Sequence, residues 1–418
     1  MKFELIKNKI LIVGIAIILI ISGIGIVIFF NVNLPEPYFI KVYSDDDFEK
    51  YSFPGNGSIN NPYIIEDYSI TVPENYKDDN GSPCLVHIIE ICHVSKSFII
   101  QNNHLTSKVE CGNTPIIFIW DISIPFVIRD NVITGSFHSP IGLCLSGVHS
   151  SISQIHNNLF ANCQGIELHN SYGLTIEYNI FRSCHMGMYI SDSINNTIQN
   201  NFFELNTNTY DIFMMRSPSI KIFNNTFTNR PRFTENSYSR YECIRSYSSP
   251  NCVIINNTFY FGGVTLSASD YLTATIQNNL VNGKALGFFV NHTNFNIEIP
   301  YQYGQLKLIN CNHSLIKNQN FCNLTLGIEL VYCYNISCSY SNFSYIWTDG
   351  IFILRSNNIN LSYNTFQYML TGMYIGYSNV VKVFNNSFYY NYNSLSEQES
   401  SISSYNNSFQ ECGDIFFI

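Results

Sequence analysis

The sequence predicts an all-β chain, wound as a right-handed, single-stranded parallel β-helix of about 14 coils of ~22 residues behind one N-terminal transmembrane helix. Three observations predict it: a recurring Ile-x-Asn-Asn-x-Phe signature, a Gly-apolar-x-apolar tetrad at fixed distance from it, and one long uncharged segment near the N-terminus.

The second Asn of the signature falls at Asn103, Asn131, Asn158, Asn179, Asn201, Asn225, Asn257, Asn279, Asn364, Asn386 and Asn407, with Gln319 and Ser341 in the same place on two further repeats. Most steps between anchors are 21 to 24 residues, with 28 and 27 for the first two, 32 after Asn225 and 40 after Asn279. A step near 22 is too short for a helical hairpin and right for one coil of three short strands and three bends. Asn tolerates left-handed geometry at a bend, and its amide can bond the Asn of the next coil. The anchors are therefore expected to form an internal structural ladder, not a catalytic row.

The tetrads are Gly165-Ile166-Glu167-Leu168, Gly187-Met188-Tyr189-Ile190, Gly327-Ile328-Glu329-Leu330, Gly350-Ile351-Phe352-Ile353 and Gly372-Met373-Tyr374-Ile375, each Gly 14 residues before its anchor. Their period-two alternation reads as strand, apolar residues inward and Glu167, Tyr189, Glu329, Phe352 and Tyr374 outward. The Gly suits a bend of positive φ. Apolar ladders such as Phe160, Phe181 and Phe203, then Phe366, Phe388 and Phe409, are expected in the core.

Residues 10–30, Ile10 to Phe30, carry no charge and follow Lys2, Lys7 and Lys9. That length crosses a bilayer, and the preceding lysines keep residues 1–9 cytoplasmic with everything after Asn31 outside. A cleaved signal peptide is the competing reading; it would favour a shorter apolar run and a small-x-small site. Residues 31–50, with Pro35, Pro37 and Asp45-Asp46-Asp47, read as a juxtamembrane spacer before a β-helix domain at 51–418. The Asp run lacks ligand-spaced partners for calcium.

Hydrophobic residues make up 46% of the 418 and charged residues 12%, with a net charge of −9 and no basic run. Nothing here offers a footprint for nucleic acid. Cys163 and Cys184 sit five residues after their anchors and Cys311 and Cys333 eight before theirs, so each pair is expected to stack on adjacent coils as a compact apolar pair; disulfides between coils are the alternative. Asn-x-Ser/Thr sequons, among them Asn195, Asn224 and Asn385, would permit glycosylation.

Phe53 to Ile70 is similar to the opening strand of exported right-handed parallel β-helix proteins of the NosD-like kind. Asn282-Gly283-Lys284, Val290-Asn291, Gly304-Gln305, Leu308-Ile309-Asn310-Cys311 and Gly327-Ile328-Glu329-Leu330 resemble, in order and spacing, a central block of that family. The resemblance accounts for the 40-residue step as one complete coil without its anchor. It implies an exported, pectin-lyase-like β-helix with a carbohydrate-related role, or one in copper-site maturation like the family's namesake.

For copper, no Cys-x-x-Cys, His-x-x-x-His or Met/His cluster supplies soft ligands, and His87 and His93 near Cys84 and Cys92 read better as loop or core. No metal or cofactor is expected. For catalysis, outward carboxylates are sparse and about one per coil, short of the paired groups that sugar-cleaving sites need. The long step after Asn225 concentrates Arg230, Arg232, Arg240 and Arg245 beside Glu235 and Glu242, a loop able to bind an acidic sugar or simply to pair its own charges. Outward Tyr189, Phe352 and Tyr374 can pack sugar rings or merely steady the sheet. The function expected is non-catalytic binding of a surface glycan or protein, with a polysaccharide lyase or glycoside hydrolase acting through residues 226–256 as the alternative. Gly413 to Ile418 reads as the first strand of a further coil, an open end suited to self-association or a partner.

Overall fold

The structure is a computed structural model that describes residues 39–77, 86–109, 114–136, 140–206, 210–228, 242–298, 300–413 and 416–417. The expected membrane span from Ile10 to Phe30 lies outside them. Among the described residues no helix is long and apolar enough to cross a membrane.

Period-two strands separated by single left-handed residues wind into a parallel β-solenoid. Its first face is a nine-stranded sheet running from Ile40–Val42 to Val264–Thr265, and its second a nine-stranded sheet from Tyr63–Glu66 to Thr275–Gln277. The third face runs from Ser69–Val72 through Leu159–Ala161 and Ile180–Arg182 to Leu280–Val281. Residues one coil apart are direct partners: Ile166 lies on Met188, Ile176 on Ile198, and Phe181 on Phe203.

A hairpin interrupts the stack. Leu280–Val281 and Lys284–Val290 pair antiparallel around Asn282-Gly283, both at positive φ, as a two-residue Asn-Gly loop demands. After it, six second-face strands follow from Asn296–Ile297 to Ile402–Tyr405. Here the third and first faces run together in long strands, Asn342–Leu354 and Thr365–Gly376. The coil expected within the 40-residue step has its first-face strand, Lys284–Val290, and a short second-face strand, Asn296–Ile297.

The Asn ladder is buried and continuous from Asn103 to Asn279. Asn179 is representative. Its backbone N–H and Nδ2 both donate to Asn201 Oδ1, at 2.9 and 3.1 Å, and Nδ2 also reaches the Ile155 and Glu177 carbonyls. The left-handed residue is not the anchor, as expected from sequence, but its predecessor: Asn102, Asp130, Asn157, Tyr178 and Asn200 have φ of 55, 56, 57, 55 and 56°. The anchor's amide is thereby turned inward, where it satisfies carbonyls of two coils.

The tetrad glycines also differ from expectation, since none of the five has positive φ. A Cβ on Gly187 would lie 2.6 Å from the Phe203 ring, and one on Gly350 2.8 Å from Phe366. Close packing against the phenylalanine ladder requires them. That ladder stacks Phe160, Phe181, Phe203, Phe227 and Phe259 at 4.7 to 5.2 Å, and resumes from Phe321 to Phe409.

Residues 39–50, read from sequence as spacer, belong to the solenoid unit that begins at Phe39. Ile40–Val42 pairs with Ile89–Ile91. Helix α1, Asp45–Lys50, lays buried Phe48 on Tyr63 at 4.6 Å, closing the first coil. The Asp run forms its first turn: Asp47 accepts from the Tyr43 and Ser44 N–H groups, and Asp45 accepts from Ser95.

Candidate functional site

Alternation on the first face aligns one outward position per coil into a row. In register it reads Cys144, Glu167, Tyr189, Phe213, Arg245 and Thr265. Beyond the hairpin it reads Phe288, Lys307, Glu329, Phe352, Tyr374 and Ser396. Tyr189, Arg245, Phe352 and Tyr374, singled out in the sequence, all stand on it. Arg230, Arg232, Glu235 and Arg240 lie outside the described residues.

The aromatic part is half-buried and ordered by the strand rise. Phe352 and Tyr374 stack at 5.0 Å and 9°, and the Tyr374 hydroxyl donates to Gln398 Oε1 at 2.7 Å. Tyr189 meets Phe213 at 5.8 Å and 34°. A second column went unnoticed in the sequence. Tyr345, Tyr368 and Tyr390 stack at 5.0 Å with 40 to 41% exposure, all with left-handed backbones. Their spacing of 23 and 22 residues was the available signal.

Outward does not mean solvent-facing at the middle of the row. Lys307 is 0% and Glu329 4% exposed, with Nζ 2.5 Å from Oε2. Helix α2, Ala268–Tyr271, is held by Asp270, which accepts from Ser246 Oγ and the Ser249 N–H. It sets Tyr271 over the pair, where its hydroxyl donates to Glu329 at 2.6 Å and accepts from the Leu266 N–H. Burial pulls the Lys307 ammonium below its ordinary range, opposed by the Glu329 charge, and pushes Tyr271 well up. Arg245 and Glu242 pair with each other at 3.3 Å beside this group. The arrangement is a joint between the two stacks. Gln305 adds to it, accepting from the Val264 N–H and donating to the Leu326 carbonyl.

One cluster was missed altogether. Cys144 and Glu167 are cross-strand partners, and His169 follows Glu167 on the same side of its strand. Their donor atoms lie within 4.8 Å of one another. Glu167 Oε2 is 3.0 Å from His169 Nε2, and Glu167 Oε1 accepts from Gln164 Nε2 at 2.5 Å. Burial, then the Glu167 charge, pushes the Cys144 thiol up to about 12. The signal in the sequence was a spacing of 23 residues, one coil, between Cys144 and Glu167. His87 and His93 are elsewhere engaged, at 2.8 Å from the Pro115 carbonyl and 2.9 Å from Asp121.

The paired cysteines are free thiols in equivalent places, as expected, but they are more than an apolar stack. Cys311 and Cys333 occupy the corner that Ser171, Ser193, Ser217 and Ser249 fill in the first stack and Ser356, Ser378 and Ser400 in the second, where the backbone N–H of one coil bonds the hydroxyl of the next. Their thiols donate to the Phe289 and Leu308 carbonyls at 3.3 and 3.2 Å. Sulfur here replaces a serine hydroxyl.

Residues 66–238 match the sequence model of the family described as NosD, periplasmic copper-binding protein. No curated protein matches the chain. Similar solved structures include endopolygalacturonase I from Stereum purpureum, at 12% identity and TM-score 0.34, covering 90% of this chain and 100% of that one. The A-module of the mannuronan C-5 epimerase AlgE6 from Azotobacter vinelandii has 9% identity and TM-score 0.31, with coverage of 90% and 100%. The Streptococcus pneumoniae surface protein and adhesin PfbA has 13% identity and TM-score 0.27, with coverage of 88% and 100%.

A copper site of the soft-ligand type wants several thiolate, thioether or imidazole donors. Cys144, Glu167 and His169 supply one thiol, one imidazole and a hard carboxylate, so the set does not fit such a site. In its Asn-anchored coils and stacked parallel strands the chain is a parallel β-helix protein, and over residues 66–238 its sequence is similar to the NosD family.

Proposed function

We propose that this β-helix works outside the cytoplasm, held at the membrane by Ile10 to Phe30, and binds a glycan along its outward aromatic row without cleaving it. The observation that carries the reading is the Phe352–Tyr374 stack, parallel within 9° and half-buried on a rigid sheet. Sugar rings pack their C–H faces on such surfaces, and rungs held by the strand rise need no reordering to receive them. Tyr189 with Phe213 offers a second, shorter platform.

The carboxylates of the same row support binding over catalysis. Glu329 is taken up by Lys307 and Tyr271, and Glu167 by Gln164 and His169. Glu242 and Arg245, the described part of the Arg-rich region, face each other.

Incubation of the full chain with acidic and neutral polysaccharides tests the reading. Retardation of a polymer in affinity electrophoresis without loss of its length is the expected result; depolymerisation would replace it with the lyase or hydrolase alternative.

A further inference from the structure

The Cys144 group lies apart from the Phe352–Tyr374 platform and has a chemistry that glycan binding does not use. Cys144 is 6% exposed and its thiol makes no hydrogen bond among the described residues. A buried, unpartnered thiol beside a buried carboxylate is a poor neighbour for it, since neither gains from the other. The two share a third member, His169, whose Nε2 is aimed at the same Glu167 oxygen. Gln164 fixes the opposite carboxylate oxygen, as an outer partner does for a ligating carboxylate.

We propose that Cys144, Glu167 and His169 bind a single zinc ion on the outward surface of the first face. Zinc accepts sulfur, imidazole nitrogen and carboxylate oxygen together, in tetrahedral geometry, at roughly 2.0–2.3 Å. Three such donors surround a common point when they lie a few ångströms apart, as these do. A divalent ion answers the arrangement's defect: it binds the thiol as thiolate and offsets the Glu167 charge. Three protein ligands leave the fourth position open to water or to an oxygen of a bound molecule. The strands make the site rigid. Cys144 and Glu167 are fixed by parallel pairing, and Glu167 and His169 by strand alternation, so no loop must close around the ion.

The experiment uses the full chain in detergent, stripped with a chelator, and titrated with Zn2+ against a competing indicator. One tight equivalent is expected. Cys144→Ser and His169→Gln should each weaken it at least about 100-fold, and Gln164→Ala about 10-fold, as loss of an outer partner does. Thermal unfolding of the apo variants checks that the coil is intact. Because the 12 other cysteines could take up zinc elsewhere, Co2+ replacement supplies a second readout: a thiolate-to-cobalt charge-transfer band in the wild type, lost in Cys144→Ser. No tight equivalent, no such band, or affinity unchanged in both ligand variants would overturn the proposal, as would uptake of copper with zinc excluded.

Discussion

The nine-rung stack before the hairpin and the six-rung stack after it use one coil with different corners. Before the hairpin the left-handed position ahead of each anchor is filled by Asn102, Asp130, Asn157, Asn200, Asn224, Asn256 and Asn278, with Tyr178 the exception. After it, that corner holds Asn318, Asn385 and Asn406 but also Tyr340 and Tyr363 on two adjacent coils, and Tyr345, Tyr368 and Tyr390 occupy the next corner. The ladders differ too. The first stack has Asn at every anchor from Asn103 to Asn279, whereas the second begins with Gln319 and Ser341. Ser341 accepts from the Gln319 N–H but has no amide with which to reach a neighbouring coil. The first stack thus keeps its backbone conflicts low with small polar corners, and the second accepts left-handed tyrosines. Left-handed geometry costs a β-carbon roughly 1–2 kcal/mol, and parallel ring stacking returns about 0.5–1.5. Tyr340 on Tyr363, at 5.0 Å and 2°, is such a pair. An aromatic surface can therefore be built at little net cost to the fold.

The joint between the stacks is where the comparison breaks most readily. Lys307→Met leaves Glu329 buried without its cation and should cost about 3–5 kcal/mol. Denaturant unfolding should then separate into two transitions, and Lys307→Met with Glu329→Met should recover most of the loss. A single transition of unchanged midpoint would mean that the pair joins nothing. Comparable losses, about 3–5 kcal/mol, are expected from Phe203→Ala in the first stack and Phe366→Ala in the second, because both rings fill a closed core. Unequal losses would show that the two cores pack differently.

The anchors sharpen the contrast at a smaller scale. Asn201→Ala strands donors of Asn179 and the Ile176 and Gln199 carbonyls, each unmet group costing about 1–3 kcal/mol. Ser341→Asn should instead stabilise, by about 1 kcal/mol, as a new amide finds its carbonyls. Equilibrium unfolding of the two variants reads both signs. The smallest effect belongs to the corners. Asn224→Tyr, set between Asn200 and Asn256, should cost roughly 1–2 kcal/mol, while Tyr363→Asn, which gains that term and loses its stack, should shift stability by less than about 1.

The repeat made the solenoid, the Asn ladder and the phenylalanine ladder legible, because each depends only on spacing. What spacing could not reveal was how a position is used. Gly187 reads as a bend glycine in a one-dimensional pattern, and only the Phe203 ring of the next coil shows that it is there for want of room. Glu329 alternates outward, yet α2 folds Tyr271 over it from 58 residues away in the chain. The Asp45 run looked like spacer because a helix of six residues leaves no periodic trace. Among the site residues, Phe352 and Tyr374 were found through the tetrad, and Cys144 was not, since its tetrad, Gly142-Leu143-Cys144-Leu145, stands 16 residues before Asn158 and not 14, and the cross-coil pairing to Glu167 had to be counted rather than read.

Affinity electrophoresis of the full chain and of Phe352→Ala/Tyr374→Ala, in a gel containing the polymer that retards the wild type, tests the functional reading most directly. Retardation lost in the double variant, with polymer length and thermal unfolding unchanged, is the predicted result. Retardation as strong as that of the wild type, or shortening of the polymer, would contradict it.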